Sequence, residues 1–285
     1  MHKPLVSICI PTYNGETFIR QAIESALQQT YRPLEIIVSD DASTDNTLAI
    51  ITGLLAEKTD IPITVFHHTP CGIGANWNYS IAQAKGEFIK FLFQDDLLKP
   101  ECIKSMMDLL ETDQEIGMVF CKREILIEGD HGKHKDWLAQ YKDLQSGWTT
   151  IAPIQHGRAL LKDIKFLSHP NNKVGEPTVV LLRKSVFDKI GYFNTDLKQA
   201  LDYEFWYRVF KHFKVGYLNA ELAAFRLHEH QATAKNNKTA ISDYQDYPKL
   251  VYKHLFWCLH RSLKKELFLE YNFLGRFLKK LTNQG

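Results

Sequence analysis

The sequence lacks the cysteine spacing of a disulfide-rich or zinc-binding protein. Its 5 cysteines are scattered over 285 residues, odd in number and never arranged as C-x-x-C. Such scattering argues against a disulfide framework or a zinc cluster and is typical of a reducing compartment. Cys9 and Cys121 lie inside apolar runs, so we expect both to be buried small hydrophobic residues.

Long apolar segments and strong net charge are also missing. No window approaches the length of a transmembrane helix, and the N-terminal stretch MHKPLVSICIPTYN has too short an apolar run for a signal peptide. The formal net charge is +2, which argues against a general nucleic-acid binder. We therefore expect a cytoplasmic protein with no nucleic-acid partner, and peripheral attachment to the inner membrane face stays open.

Several nucleotide-binding and hydrolase motifs are absent as well. No strand-like run is followed by G-x-G-x-x-G, and the chain contains neither G-x-x-x-x-G-K-[ST] nor G-x-S-x-G nor H-E-x-x-H. The dinucleotide and P-loop interpretations therefore lose their main support.

The chain does contain a regular alternation of strand-like and helix-like runs up to residue 121. Predicted strands cover 5–10, 34–39, 62–68, 87–93 and 116–121, and predicted helices follow them at 15–30, 40–58 (after a turn), 74–84 and 100–113. This order predicts βαβ units and an α/β fold with a mostly parallel, doubly wound sheet.

Polar residues follow three of these strands at the end where parallel sheets bind ligands. They are Thr12, Tyr13 and Asn14 after the first strand, Asp40 and Asp41 after the second, and Asp95 and Asp96 after the fourth. All three groups fall at one edge of the predicted sheet, which predicts a binding site there.

The adjacent acids Asp95 and Asp96 point to a cation. Neighbouring carboxylates repel each other and resist desolvation, so they need a cation or a hydrogen-bonding ligand. A helix cap before Pro100 would explain one of the two acids but not both. A rim of carboxylates suits Mg²⁺ or Mn²⁺ entering with a phosphorylated substrate.

The second half of the chain is less regular. Residues 122–150 are polar with aromatics between charges, which predicts a long loop of the kind that forms lids or binds substrates. The segments after it are predicted as a helix at 154–167, a strand at 178–182, helices at 184–190 and 202–213, and short strands at 215–219 and 222–227.

The C-terminal tail is basic and helical in pattern. Two helical stretches are predicted at 242–261 and 263–281, and from Pro248 onward only Glu266 and Glu270 oppose its Lys and Arg residues. We expect a helical hairpin packed on the domain or on a second copy of the chain. An interfacial helix at an anionic membrane surface is the alternative.

Several motifs in order resemble those of the family 2 glycosyltransferases. These are inverting enzymes with the Rossmann-like GT-A fold that use nucleotide-diphosphate sugars. The likeness runs from VSICIPTYNGETF and EIIVSDDASTDNT through GEFIKFLFQDDLLKP, GEPTVVLLRKSVFDKIGYFN and ALDYEFWYRV to FRLHEHQAT. It implies a GT-A domain at 1–235, with a nucleotide-sugar-binding half at 1–121 and an acceptor-binding half at 122–235. A basic amphipathic tail at 236–285 lies outside it.

The resemblance also implies roles for individual residues. Tyr13 would lie against the nucleotide base, Asp41 would accept a hydrogen bond from the uracil edge, and Asp95 would contact the ribose or the sugar. The other residues implied in donor binding are Pro11, Thr12, Asn14, Asp40 and Asn76.

The metal and the base follow from the same resemblance. QDD stands at the family's D-x-D position, so Asp96 would bind Mn²⁺ or Mg²⁺, and His228 would help to hold the metal or the diphosphate. Many relatives carry another acid two residues before Asp95, where this chain has Phe93. Asp202 occupies the position of the general base, and at the start of a helix its carboxylate should stay ionised at neutral pH.

These expectations combine into one function. The chain would be an inverting, metal-dependent transferase that moves a sugar, from a donor such as a UDP-sugar, to a hydroxyl of a glycan or lipid-linked acceptor. The pathway would be the synthesis of a cell-surface polysaccharide or glycoconjugate. Two alternatives stay open: a non-catalytic nucleotide- or glycan-binding relative, and a sugar-1-phosphate nucleotidyltransferase. The latter would need a glycine- and arginine-rich phosphate loop, which IPTYNGET does not supply.

Overall fold

The computed structural model describes residues 3–229, 231 and 241–282. Within them nine strands form one mixed sheet. The strands are β1 Val6–Thr12, β2 Leu34–Asp40, β3 Ile63–His67, β4 Phe88–Phe91, β5 Leu97–Leu98, β6 Ile116–Ile127, β7 Ile154–His156, β8 Val180–Arg183 and β9 Lys214–Leu227.

Helices connect these strands and form the tail. They are α1 Ile19–Leu27, α2 Thr47–Leu55, α3 Ile73–Gln83, α4 Cys102–Leu110, α5 Lys135–Tyr141, α6 Gly157–Leu161, α7 Ser185–Ile190, α8 Leu201–His212, α9 Asp243–Leu255, α10 Arg261–Tyr271 and α11 Phe273–Thr282. In α1 the apolar residues recur at helical spacing, and they are buried against the core: Ile19, Ala22, Ile23 and Ala26. Cys9 and Cys121 are buried, as predicted.

The sheet order brings functional residues from many elements to one edge. The strands run β3-β2-β1-β4-β8-β6-β9-β5, and β7 pairs with β9. The first four are parallel, so β1, β2 and β4 end at the same edge. Strand β8 is antiparallel to its neighbours β4 and β6, and therefore begins at that edge. The predicted α/β class with a central parallel sheet is confirmed.

The predicted loop at 122–150 is wrong in part. Strand β6 continues to Ile127 because its second half pairs with β9, from Lys122 opposite Glu221 to Ile127 opposite Leu227. After it come a 3-10 turn, helix α5 and a second 3-10 turn. The ladder carries register shifts around Lys122, where the strand becomes half-exposed and the sequence polar.

Two further predictions are corrected near β9. The two short strands predicted at 215–219 and 222–227 are one strand, since β6 pairs along the whole of β9. The predicted helix at 154–167 begins as a strand, because Ile154–His156 pairs with the start of β9 before α6 begins. Both errors arise where pairing with a distant strand overrides the local sequence pattern.

Within residues 241–282 the tail forms α9, α10 and α11, where two helical stretches were predicted. Helices α9 and α10 and the turn between them bury one apolar face in the main core: Tyr247, Val251, Leu255, Leu259, Leu263 and Leu267. The chain turns again at Asn272, where Gly275 lies so close to the Phe268 carbonyl that a Cβ would clash. The predicted domain boundary between residues 235 and 236 lies outside the described residues. No helix in the described ranges is both long and apolar enough to span a bilayer.

The tail also holds the start of helix α8. Asp243, the first residue of α9, is buried, and its Oδ2 accepts hydrogen bonds from three successive backbone N–H groups of Lys198, Gln199 and Ala200 at 2.8, 2.5 and 2.8 Å. Helix α8 begins at the next residue, Leu201. The tail therefore fixes the point where α8 enters the cleft.

Candidate functional site

The loop after β1 presents Tyr13 at the cleft edge. Its side chain is 51% exposed. The Tyr13 backbone N–H donates to Gln94 Oε1 at 2.9 Å, and Gln94 Nε2 donates back to the Tyr13 carbonyl at 3.1 Å. This exchange joins the β1 loop to the loop that carries Asp95. An exposed ring on a doubly hydrogen-bonded backbone is a ready surface for stacking.

The two acids after β2 have different surroundings. Asp40 is fully buried and accepts hydrogen bonds from the hydroxyl and backbone N–H of Ser43 and from His67 Nδ1 at 2.8 Å. Asp41 accepts from the backbone N–H groups of Cys71 at 2.7 Å and Gly72 at 3.0 Å. Asp40 therefore organises the turn, and Asp41 joins the β2 turn to the segment before α3.

The remaining predicted donor-binding residues are mostly internal. Pro11 and Thr12 are buried within β1. Asn76 is 4% exposed, its Nδ2 donates to the Thr12 carbonyl, and its Oδ1 accepts from the Ser39 hydroxyl. Asn14 has a positive φ of 48°. Its side chain accepts from the Thr44 N–H at 2.8 Å, which holds the β1 loop against the β2 turn. Pro11, Thr12 and Asn76 therefore lie below the surface at the strand ends, whereas Asn14 is exposed.

Asp96 lies inside the protein rather than at its surface. It is 1% exposed, its Oδ2 accepts from the Thr178 hydroxyl at 2.6 Å, and its Oδ1 accepts from the Arg226 N–H at 3.0 Å. Burial, followed by the nearby charge of Asp95, raises the pKa of the Asp96 carboxyl. At 1% exposure Asp96 is less accessible to an ion than Asp95, whose side chain is 22% exposed, and the metal role of Asp96 stays a prediction. Strand β5 follows directly, so neither acid caps a helix.

Asp95 is the member of the pair that reaches the cleft. Its carboxylate is 22% exposed, and its Oδ2 lies 3.0 Å from His228 Nε2. The Nδ1 of His228 is buried with no hydrogen-bond partner among the described residues. Arg226 donates through Nε to the Asp95 carbonyl at 2.9 Å, and its guanidinium lies over the Phe18 ring. Asp95 and His228 thus form a hydrogen-bonded pair next to the buried Asp96.

Asp202 stands apart in the first turn of α8. Its Oδ2 accepts from Asn172 Nδ2 at 2.8 Å, and its Oδ1 accepts from the Tyr203 N–H at 2.7 Å. Burial raises the pKa of this carboxyl to about 7, although these donors and the Arg123 charge act in the opposite direction. The sequence-based expectation that the helix dipole keeps Asp202 ionised omitted this desolvation. A carboxyl with this pKa exchanges protons near neutral pH.

Arg123 is a buried charged residue near the acids that the sequence analysis did not single out. It is buried in β6, pairs with Glu176, donates to the Tyr141 carbonyl at 2.7 Å and stacks on Phe225. Burial lowers its pKa to about 10, and the charges of Asp96 and Asp202 act against that shift. The pKa of Arg123 therefore depends on the charges of both acids. Its position inside a stretch predicted as a loop gave no signal in the sequence.

The comparisons with known proteins decide the family. The sequence model of glycosyl transferase family 2 matches residues 7–191. The chain belongs to this family. The matched range includes Asp41 and Asp95 and ends before Asp202 and His228.

Individual relatives agree with the family. An uncharacterized glycosyltransferase of Rickettsia typhi is 31% identical over 250 residues, which is 87% of this chain and 71% of the relative. An uncharacterized protein of Mycobacterium tuberculosis is 30% identical over 224 residues, covering 79% of this chain and 67% of the relative. This family 2 member is a glycosyltransferase.

Solved structures share the fold at low sequence identity. Staphylococcus aureus TarS 1–349 in complex with UDP-GlcNAc matches with a TM-score of 0.68 and 21% identity, over 93% of this chain and 71% of that one. The mannosyltransferase PcManGT from Pyrobaculum calidifontis, in complex with GDP-Man and Mn²⁺, matches with a TM-score of 0.59 and 17% identity, over 99% and 80%. The family 2 chain has the GT-A fold of such enzymes.

Proposed function

We propose that the protein transfers a sugar from a nucleotide-diphosphate donor, with inversion, to a hydroxyl of a glycan or lipid-linked acceptor. The observation that carries this proposal is the division of the acids around Arg123. Asp95 with His228 forms a hard-ligand pair, whereas Asp202 comes from a separate helix and has a pKa near 7. Arg123 experiences the charge of Asp202 and of Asp96, the neighbour of Asp95.

The donor nucleotide would lie over the ends of β1 and β2. Tyr13 offers an exposed ring for the base, and Asp41 offers carboxylate lone pairs for a base N–H. The complex of TarS with UDP-GlcNAc supports a UDP-sugar as the donor class to test first. In this arrangement 1–121 is the donor half, 122–235 the acceptor half, and 236–285 the tail.

The Asp95–His228 pair fits a hard divalent cation such as Mn²⁺ or Mg²⁺. Two adjacent ligand atoms on an octahedral ion at about 2.1 Å are about 3.0 Å apart. Asp95 Oδ2 and His228 Nε2 are 3.0 Å apart. A cation held by these residues would stabilise the charge of the departing diphosphate. Asp96 acts behind them by holding the Thr178 hydroxyl and the backbone N–H of Arg226.

Asp202 would act as the general base. It takes the proton of the acceptor hydroxyl as that oxygen bonds to the anomeric carbon, while the bond from this carbon to the diphosphate oxygen breaks on the opposite face. Asn172 fixes the direction of the carboxylate through its 2.8 Å hydrogen bond. Membership of a glycosyltransferase family favours this reaction over the nucleotidyltransferase and the non-catalytic module.

The apolar face of α11 suits an acceptor that lies at a membrane. Its large apolar residues lie on one side and are 49% to 77% exposed: Phe273, Leu274, Phe277, Leu278 and Leu281. Arg276, Lys279 and Lys280 lie outside that arc. We propose that this face docks on an anionic bilayer, because two facing copies would bring like charges together.

The test is a calorimetric titration of UDP, GDP and TDP into the protein, with and without Mn²⁺, followed by turnover with sugar donors. We expect one nucleotide to bind tightly only with the cation. Asp202→Asn should keep that binding while kcat falls roughly 100-fold or more, the usual loss for a missing general base. Cation-independent binding, or normal turnover by Asp202→Asn, would overturn the assigned roles.

A further inference from the structure

A second group of ligand-type side chains lies beside the proposed base pocket. Asp41 follows β2, and His68 and Cys71 follow β3, so the parallel pairing of the two strands brings the three residues together. Their ligand atoms all lie within 4.8 Å of one another. The sequence argued against zinc because it lacks C-x-x-C, but this group is assembled by the fold from two distant segments.

The distances suit a tetrahedral ion with sulfur and nitrogen ligands. His68 Nδ1 lies 3.7 Å from Cys71 Sγ and 3.6 Å from Asp41 Oδ1. Zinc bonds of about 2.0–2.3 Å at tetrahedral angles place such atoms about 3.4–3.6 Å apart. The two separations at His68 therefore need little adjustment to accept the ion, and the ligand atoms of Asp41 and Cys71 lie within 4.8 Å of each other. The Asp95–His228 pair contains no thiolate and therefore lacks the ligand that selects thiophilic ions.

The hydrogen bonds around His68 fix the orientation of its ring. Its Nε2 lies 3.2 Å from Asn76 Oδ1, and the Asn76 orientation is set because Nδ2 donates to the Thr12 carbonyl. The Nδ1 lies 2.9 Å from the Thr69 carbonyl oxygen. The Ser39 hydroxyl also lies 3.2 Å from Nε2 and can donate to it, so the tautomer with its proton on Nδ1 satisfies both ring nitrogens. An ion bound at Nδ1 would replace the proton that this nitrogen donates to the Thr69 carbonyl.

Neighbouring contacts hold the three ligands in place. Asp41 is held by the N–H groups of Cys71 and Gly72, and the His68 ring packs against Tyr79 with centroids 4.6 Å apart. Cys71 itself is exposed, so the ion would have a path of entry. In metal sites the second ring nitrogen of a ligating histidine characteristically bonds to another protein group, as His68 Nε2 can bond to Asn76 Oδ1.

We propose that Asp41, His68 and Cys71 bind a thiophilic divalent cation such as Zn²⁺, with the remaining coordination position open to a small ligand. The binding of the ion stands on this geometry alone. Its consequence rests on the proposed function: Asp41 bonded to zinc no longer receives the nucleotide base, so zinc and the donor nucleotide exclude each other. The site would make donor binding sensitive to zinc.

Cobalt titration of the full chain tests the ion site directly. Thiolate-bound Co²⁺ gives a ligand-to-metal charge-transfer band in the near ultraviolet, which an ion at Asp95 and His228 cannot give. We expect this band, its removal by Zn²⁺, and its loss in Cys71→Ser with affinity at least about 100-fold weaker, since even outer partners of metal ligands contribute 10–100-fold. His68→Gln should weaken binding similarly.

Cys258→Ser is the matched control, because Cys258 is a free, half-buried cysteine in the tail. This variant should keep the band. A band that survives Cys71→Ser, or no band in the wild type, would overturn the metal site. Circular dichroism of Cys71→Ser would verify that this exposed substitution leaves the fold unchanged.

Nucleotide competition separates the two proposals. UDP binding to zinc-free protein in Mg²⁺ measures the proposed function without reference to zinc. With that binding present, we expect stoichiometric Zn²⁺ to weaken UDP affinity at least tenfold in the wild type and not in Cys71→Ser. Normal UDP binding beside bound zinc would overturn the exclusion. Absent UDP binding with a normal cobalt band would overturn the proposed donor site and leave the metal site standing.

Discussion

Asp95 and Asp96 are neighbours in the chain but have opposite environments. Asp95 faces the cleft and His228, whereas Asp96 is buried between Thr178 and Arg226. The sequence predicted that the pair matters, because two adjacent charges at a strand end are costly. It could not predict which acid would be buried, since that depends on Thr178, just before β8, and on Arg226 in β9, which come more than 80 residues later in the chain.

A pair of substitutions tests this division. Asp95→Asn should weaken Mn²⁺-dependent UDP binding by at least about tenfold, a loss of about 1.4 kcal/mol. Asp96→Asn should weaken this binding less. The amide oxygen can still accept from the Arg226 N–H, and the amide NH₂ can donate to the Thr178 hydroxyl. The measurement is calorimetric affinity for UDP in Mn²⁺. The reverse order of effects would return the metal to Asp96.

The pH profile should report Asp202. Its pKa is raised to about 7, so the carboxylate forms as the pH rises through 7, and kcat/KM should rise and level off above it. Asn172→Asp removes a hydrogen bond that favours the charged form and adds a negative charge, so both effects raise the pKa of Asp202.

The acid limb of the Asn172→Asp profile should therefore move to higher pH by about one unit or more. Asn171→Asp is the matched control, because it adds the same charge one residue earlier, where the backbone carbonyl accepts from the Tyr207 hydroxyl and the side chain has no hydrogen bond within the described part of the chain. Equal shifts in the two variants would mean that bulk charge, rather than the Asn172 contact, sets the profile.

At the scale of elements, the sequence predicted the parallel half best. Strands β1, β2 and β4 are buried on both faces, so their apolar runs are unambiguous, and the polar residues after them fall at one edge as expected. The secondary-structure prediction failed where pairing with a distant strand decides the conformation. The second half of β6 is polar and half-exposed, and it is a strand because β9 pairs with it.

Helix α11 offers an element-scale prediction. Phe277→Glu should greatly reduce sedimentation with phosphatidylglycerol vesicles, because burying one such side chain contributes roughly 1.5–3 kcal/mol. Ile164→Glu is the control, since Ile164 is 56% exposed and Phe277 58%. Bilayer docking would be contradicted if both variants sedimented equally with the vesicles. It would also be contradicted if the wild type did not sediment with vesicles and formed dimers in light scattering.

At the scale of the molecule, the tail consists of two parts. Helices α9 and α10 belong to the core, whereas α11 turns away at Asn272 with its apolar face exposed. The sequence predicted a packed hairpin or an interfacial helix as alternatives. In the structure α9 and α10 form the packed hairpin, whereas α11 has the exposed apolar face expected of an interfacial helix. This division depends on the turn at Asn272 and not on the composition of the tail.

Truncations should separate these parts. A chain ending at Asn272 should keep its unfolding midpoint within about 3 °C, because it loses mainly exposed side chains. A chain ending at residue 240 loses the buried faces of α9 and α10, a gross contribution on the order of 10 kcal/mol, similar to the stability of a whole domain. Calorimetry and size-exclusion chromatography would measure both. A monodisperse, cooperatively unfolding chain ending at residue 240 would show that the tail is an appendage.

The contact of Asp243 with Lys198, Gln199 and Ala200 bears on how such chains diverge and how they can be recombined. Replacing the C-terminal segment with that of another family member would also replace Asp243, whose carboxylate fixes the start of α8. The orientation of the Asp202 carboxylate in the first turn of α8 would then change as well. Segment exchanges intended to change the location of the enzyme should therefore begin after α10, so that Asp243 and its contact with the start of α8 are kept.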